Sequence, residues 1–337
     1  MKNLRVAILG VTGAVGREFL SILEQRKFPI AEIKFLASKK SAGQKIRFQD
    51  RDVTVEEAAP HSFQGIDLVL SSAGGAVSKE LVPHAVKAGA VVVDNTSAFR
   101  MDPDVPLVVP EVNPEDIVRH KGIIANPNCS TIIMVVPLFP LHRRLRIRRI
   151  IAATYQAASG AGAKAMHELE KQSREILAGR APTKEVFPHQ IAFNLFSHNS
   201  PIKEGGYCEE EIKMMRETQK IFHDDSIQVV ATTVRVPVFR AHSEALFIEC
   251  EKALALEEVR SILSNAPGVQ VVDDREKNYF PMPIEAAGRD DVLVGRIRKD
   301  PSKDNAFALF VSGDQLRKGA ALNAVQIAEI WAGIRFG

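Results

Sequence analysis

Cysteine is scarce in this chain: Cys129, Cys208 and Cys250 are the only three among 337 residues, with no paired CxxC spacing. That excludes a disulfide framework and a cysteine-rich zinc site, fits a reducing compartment, and leaves no metal site expected. Long apolar runs are missing as well. None approaches the roughly eighteen residues of a membrane-crossing helix, so no membrane partner is expected. The N-terminus leads straight into a strand without a signal-peptide pattern, which makes the cytoplasm the expected location. Nor does one sign of charge dominate. The net charge is +3 with acidic and basic residues interspersed, which gives no footprint for nucleic acid. The one dense basic run, His142-Arg-Arg-Leu-Arg-Ile-Arg-Arg149, reads as the solvated end of a helix and the polar face of the next strand. Internal repeats and low-complexity stretches are absent.

What is present is a globular balance, 45% apolar against 25% charged residues, in a chain long enough for two domains. Leu4 to Leu9 is a near-continuous apolar strand of the kind that parallel sheets bury on both faces. It runs into Gly10-Val-Thr-Gly-Ala-Val-Gly16 and then a helix with Val15, Phe19, Ile22 and Leu23 on one side. Strand, glycine-rich turn and helix in that order open a dinucleotide-binding unit. The glycines supply the tight turn, close approach to a pyrophosphate and close helix–strand packing. A second strand, Ile33 to Ala37, leads into Ser38, Lys39, Lys40 and Ser41 with no carboxylate. Positive charge and hydroxyls suit a 2′-phosphate, so the expected cofactor is NADP. Further strands at 67–71 and 91–94, with a helix through Ala85 between them, predict a doubly wound parallel sheet.

The stretch Asn126-Pro-Asn-Cys-Ser-Thr131 sets a thiol between a short apolar strand, 122–125, and an apolar helix over 130–141 that carries Pro137 and Pro140. A strand–turn–helix junction exposes unpaired backbone N–H groups and the positive end of the helix dipole, which favours a thiolate. A buried inert thiol is the alternative. Beyond it the pattern changes. Strands are expected at 147–155, 228–236 and 244–250, and several show period-two alternation, which predicts an antiparallel or mixed sheet open on one face. Helices at 163–177 and 209–222 lie between them, and 180–206 reads as long loops. An amphipathic helix over 319–334 closes the chain.

A collinear set of windows resembles the aspartate-β-semialdehyde dehydrogenase family. They are GVTGAVGREFL at 10–20, ASKKSAGQ at 37–44, SAGGAVS at 72–78, DNTSAFRMDPDVPLVVPEVN at 94–113 and NPNCST at 126–131. TYQAASGAGA at 154–163, EEEIKM at 209–214, RVPVFRAHSEA at 235–245 and LRKGAALNAVQIAE at 316–329 continue the match. Lys40 stands where the family commonly has arginine, Thr233 where cysteine is common, and Ala241 where glycine is usual. The resemblance implies an α/β fold: a doubly wound, Rossmann-like sheet with a second α+β domain for catalysis and dimerisation. Residues 1–129 with 315–337 would bind NADP, and 130–314 would form the second domain.

The implied reaction is the NADP-linked, reversible conversion of L-aspartate 4-semialdehyde and inorganic phosphate to L-4-aspartyl phosphate, in a homodimer or a dimer of dimers. Cys129 resembles the nucleophile, His242 its base and Gln156 the amide that orients the intermediates. Arg235 would clamp the substrate carboxylate and Glu210 its ammonium, while Arg100, Asn128 and Lys213 would serve phosphate. The cofactor set would be Gly10, Thr12, Gly13, Ala14, Val15, Gly16, Ser38, Lys40, Ser41, Ser72, Ala73, Gly74, Gly160 and Asn323. His61, His84, His189 and His223 have no such match and read as structural or surface residues. Three rivals are an N-acetyl-γ-glutamyl-phosphate reductase, a silent paralogue and a nucleic-acid binder. Against the first stands NPNCST in place of the NPGCYPT type, and against the second the presence of Cys129, Gln156 and His242.

Overall fold

Strand β1 (Leu4–Leu9) buries every residue except Arg5, and it does so on two faces. Val6 and Ile8 enter one apolar core with Phe19, Ile22 and Leu23 of helix α1 (Ala14–Gln25). Ala7 and Leu9 enter another with Leu81, Val82 and Ala85 of helix α2 (Gly75–Lys87). A strand that is apolar at successive positions can only be satisfied this way, with helices covering both sides of the sheet. The other six strands of its sheet are β2 (Ile30–Ala37), β3 (Lys45–Phe48), β4 (Arg51–Glu57), β5 (Leu68–Ser71), β6 (Val91–Asp94) and β7 (Ile123–Ala125). Their order is β3-β4-β2-β1-β5-β6-β7, parallel throughout except for the β3–β4 hairpin. That hairpin was not among the expected elements, although Ile46 and Phe48 of β3 are buried and alternate with exposed Lys45 and Arg47; β4 exposes most of its residues. The hairpin's two-residue loop, Gln49-Asp50, has φ of 44° and 63°, the geometry of the turns that match strand twist. The structure, a computed structural model, describes residues 3–253 and 255–333.

Helix α3 (Cys129–Leu145) begins the second unit and runs through Pro137 and Pro140 to Leu145, four residues past the expected end at 141. Burial on nearly all sides outweighs the backbone bonds that the prolines remove. Next come β8 (Ile147–Gln156), α4 (Ala163–Leu177), β9 (Phe196–Ser197), α5 (Glu209–Phe222), β10 (Gln228–Arg235) and β11 (His242–Cys250). They are followed by α6 (Leu256–Ser264), β12 (Val269–Val271), α7 (Pro283–Ala286), β13 (Val292–Lys299) and β14 (Ala306–Gly313). The second sheet has the order β12-β13-β14-β11-β8-β10-β9 and mixes parallel β8–β10 and β12–β13 pairs with antiparallel ones. β8 alternates as predicted. Ile150, Ala152, Thr154 and Gln156 are buried on the face that α3 and α5 cover, while Ile151 and Tyr155 are exposed on the other.

A five-residue π-helical stretch, Arg317–Ala321, then leads to α8 (Leu322–Trp331), which packs against α1. The expected amphipathic helix is therefore shorter at its start, and Ile334 lies outside the described residues. It also lacks a wet face. Leu322, Asn323, Ala324, Val325, Ile327, Ala328 and Glu329 are all buried, and Glu329 accepts both Nε and Nη2 of Arg26 at 2.7 Å.

The chain divides at 128/129 and 319/320, against expected boundaries at 129/130 and 314/315. Residues 315–319 stay with the second unit for two reasons. Gln315 accepts the Ala241 N–H at 2.8 Å and donates to Ser159 Oγ, and the backbone of Gly319 lies against Cys129. Among the described residues no helix is long and apolar enough to cross a membrane.

Candidate active site

The second unit gathers its reactive groups at the ends of neighbouring strands. β8 and β10 are parallel and in register with Gln156 opposite Arg235, and β11 begins at His242. All three are buried on the helix-covered face. Cys129 is the first residue of α3, and the next residue ties it to the sheet: Ser130 Oγ accepts from Gln156 Nε2 at 2.6 Å. Two glycines let backbone approach these groups. A Cβ on Gly160 would lie 3.0 Å from the His242 ring and 3.1 Å from Arg235 Nη1, and one on Gly319 would lie 3.1 Å from the Cys129 Cβ. The structure thus places Gly160, assigned to the cofactor by resemblance, in the second unit beside His242 and Arg235.

His242 is 1% exposed, and its Nδ1 accepts the Ala157 N–H at 3.0 Å. Burial, reinforced by the Arg235 charge and opposed by Glu210, pushes its pKa down to about 3. The ring is neutral at working pH, and with Nδ1 accepting, its proton sits on Nε2. Arg235, 3% exposed, donates from Nη1 to Ala157 O at 2.6 Å and meets His198 Nε2 through Nη2 at 3.0 Å. Its Nε is buried without a hydrogen-bond partner among the described residues. Burial lowers its pKa, opposed by negative charge at Cys129 and Glu210.

Glu210 and Lys213 lie one turn apart on α5, Oε2 to Nζ at 3.4 Å. Their helix is anchored by Glu211, whose carboxylate accepts the Cys208 N–H at 2.9 Å and the Thr233 N–H of β10 at 3.0 Å. Ala241, where the family usually has glycine, has φ of 72°, a left-handed conformation that explains the usual residue. Cys208 and Cys250 are buried, and burial raises Cys250 to about 12, so it remains a thiol. Cys129 is partly exposed.

In the first unit the three βα turns enclose a cavity of about 540 Å³. Gly10, Thr12 and Gly13 line it from the first turn, Ser38 from the second, and Ser72 and Ala73 from the third. Gly10 has φ of 90°, and a Cβ there would strike Ser72 O at 2.6 Å. Gly16 has a packing task instead, since its Cβ would fall 2.3 Å from Gly10 O. Ala14, Val15, Lys40, Ser41 and Gly74 are not part of this wall; Lys39 is. Residues 39–41 form a 3₁₀ turn that rotates successive side chains by about 120°, so Lys39 and Lys40 face different ways.

The same wall holds Glu57 and Glu80, which the sequence reading missed. Glu57 pairs with Ala37 through the unforeseen hairpin, a carboxylate at the end of β2 in space though twenty residues away in sequence. Asn323 is fully buried, and its Nδ2 donates to Val108 O at 3.0 Å and Asn126 Oδ1 at 2.8 Å. Arg100 donates to Asn126 O at 2.9 Å and Asn95 O at 2.8 Å, and the Asn126 N–H donates to Asp94 O. These bonds fix the segment that carries buried Asn128.

His61, His84, His189 and His223 are exposed. Among the described residues no group of three or more His, Cys, Asp or Glu is set to hold a metal ion.

Comparison with known proteins adds a family. A model described as semialdehyde dehydrogenase, NAD binding domain, matches residues 5–120, and one described as semialdehyde dehydrogenase, dimerisation domain, matches 138–318. The aspartate-semialdehyde dehydrogenase of Synechocystis sp. is 57% identical over 97% of both chains. A crystal structure of aspartate semialdehyde dehydrogenase II from Vibrio cholerae, complexed with ASA, is 44% identical, covers all of both chains and has a TM-score of 0.96. An aspartate semialdehyde dehydrogenase with NADP from Candida albicans matches at 28% identity over 98% of both chains, with a TM-score of 0.75.

Proposed function

The chain belongs to the aspartate-semialdehyde dehydrogenase family, and on that premise we propose that it works as a phosphorylating, NADP-linked enzyme through a thioester on Cys129. The substrates would be L-aspartate 4-semialdehyde and phosphate, and the product L-4-aspartyl phosphate, which leads toward lysine, threonine, methionine and diaminopimelate. The observation that carries this reading is the Ser130–Gln156 bond, which joins the Cys129 helix start to the strand end where Gln156 pairs with Arg235.

Cys129 sulfur adds to the aldehyde carbon, and Gln156 orients the adduct. His242 steadies the charge. Cys129 reacts as the thiolate. Nε2–H, held in that tautomer by the Ala157 N–H, hydrogen-bonds the oxyanion that sulfur addition creates, and its proton stays on nitrogen while the C=O re-forms and hydride leaves to give the thioester. Phosphate then attacks the thioester, and sulfur leaves as thiolate. Arg235 suits the substrate carboxylate because its buried Nε is a donor in want of an acceptor. Glu210 takes the ammonium, and Arg100, Asn128 and Lys213 keep the phosphate role that the resemblance gives them.

The glycine cradle at Gly10 and the donors Ser38 and Lys39 fit a phosphorylated dinucleotide. When bound, its nicotinamide accepts the hydride. Glu57 and Glu80 in the same wall oppose a 2′-phosphate, so the preference for NADP over NAD is moderate. The open sheet face with Ile151, Tyr155 and Phe247 is the proposed homodimer contact, in a cytoplasmic enzyme.

A spectrophotometric assay tests the reading. Cofactor reduction should require both semialdehyde and phosphate and run faster with NADP than NAD. Cys129→Ser should lose nearly all activity while folded, whereas Cys208→Ala and Cys250→Ala keep most of it. A fully active Cys129→Ser enzyme would remove the thioester from the mechanism.

A further inference from the structure

We propose that His198 is a positioning residue for substrate recognition: as a neutral acceptor for Arg235 Nη2 it aims the guanidinium at the substrate carboxylate. The proposal deepens the reading of Arg235 as that clamp and rests on it. His198 follows the two-residue edge strand β9, and its N–H donates to Thr233 O at 2.9 Å, so it is pinned to β10 two residues before Arg235. Its Nε2 lies 3.0 Å from Arg235 Nη2. Two donors face the ring, Arg235 Nη2 at Nε2 and the Ser200 N–H at Nδ1, 3.2 Å away. The charged guanidinium makes the stronger bond, so Nε2 accepts from it and the neutral ring carries its proton on Nδ1, giving up the Ser200 N–H. Nδ1 in turn lies 3.1 Å from Ser200 Oγ, which accepts the Glu210 N–H at 3.2 Å. One chain of bonds therefore runs from the proposed carboxylate ligand to the backbone of the proposed ammonium ligand. Ala157 O takes Arg235 Nη1, the Phe187 ring lies 5.6 Å from the guanidinium carbon, and Nε is left for substrate.

The charges around His198 make its protonation state legible in kinetics. Arg235 faces it from β10, His242 from β11, and Glu210, Glu211 and Lys213 from α5. Burial lowers its pKa first, Glu210 opposes, and Arg235 and Lys213 lower it further. In acid below the ordinary histidine range the ring gains a proton. It then stops accepting and sets a second cation against Arg235.

Steady-state kinetics with each substrate varied, across pH, test the proposal. His198→Leu removes the acceptor that aims the guanidinium, so it should raise KM for the semialdehyde by about tenfold or more. Its kcat and its KM for phosphate should stay near those of the unmodified enzyme, as expected when ground and transition states lose binding alike. His198→Gln keeps an acceptor that does not titrate. It should hold KM near normal and abolish the acid rise in KM seen with the unmodified enzyme. An unchanged KM in folded His198→Leu, or an acid rise that persists in His198→Gln, would overturn the positioning role. Arg235→Lys separates the two readings. If it leaves the semialdehyde KM unchanged, the clamp itself is misassigned; if it raises KM while the His198 variants do not, only the present inference fails.

Discussion

His242 and Glu244 sit two residues apart on the same covered face of β11, and burial acts on them in opposite directions. His242 is held neutral by a pKa lowered to about 3. Unfolded chains bind its proton below about 6.5, so this contribution to stability is complete above that pH and is lost as pH falls toward 3. Glu244 is fully buried, neither of its oxygens has a partner among the described residues, and burial raises its pKa well above 4.5. The native carboxyl stays protonated while the unfolded one ionises, so stability declines as pH rises above about 4.5. Glu244→Gln removes only that second arm. Thermal unfolding should give a Tm about 3 °C or more higher for the variant at pH 8, with the difference shrinking toward zero near pH 4. A Tm difference independent of pH would mean that Glu244 is not the titrating group. Neither the charge state nor the partnerlessness of Glu244 could be read from AHSEA; only burial creates them.

At the scale of elements, the first βα turn and the loop after β2 carry distinct tasks. Gly16 is a packing glycine: a Cβ there would fall 2.3 Å from Gly10 O, too close for any rotamer to relieve. Gly16→Ala should therefore abolish cofactor binding, measured by calorimetric titration with NADP, and lower the Tm of the first unit. Full NADP affinity in that variant would refute the assignment. The loop tells the two lysines apart. Lys39 stands in the cavity wall and Lys40 does not, so Lys39→Ala should raise KM for NADP several-fold and leave NAD nearly unchanged, while Lys40→Ala does less. The reverse order would place the 2′-phosphate on the other side of the 3₁₀ turn. The glycine spacing was legible because turn geometry is local. Glu57 was not, because its place beside Ala37 depends on the parallel pairing of β4 with β2, between residues twenty apart in sequence, which no local pattern encodes.

For the whole molecule, the second sheet leaves Ile151, Tyr155 and Phe247 exposed at 37%, 41% and 41% on one face. Three large apolar side chains on adjacent strands suit an interface more than a wetted surface. A Tyr155→Glu, Phe247→Glu double variant should sediment as a monomer where the unmodified protein sediments as a dimer. A dimer that survives both charges would put the contact elsewhere. By itself the sequence determined the classes of structure and the roster of reactive groups. Apolar continuity in Leu4–Leu9 meant a sheet covered on both sides, alternation in β8 meant one open face, and NPNCST put a thiol at a helix start. Such features are local, fixed by backbone geometry and the period of each element. The tertiary structure decided which side chains became neighbours: Ser130 with Gln156, His198 with Arg235, and Glu57 with the end of β2. Those pairings come from strand register and helix packing between distant segments, where burial and a partner's charge, rather than residue type, set what each group can do.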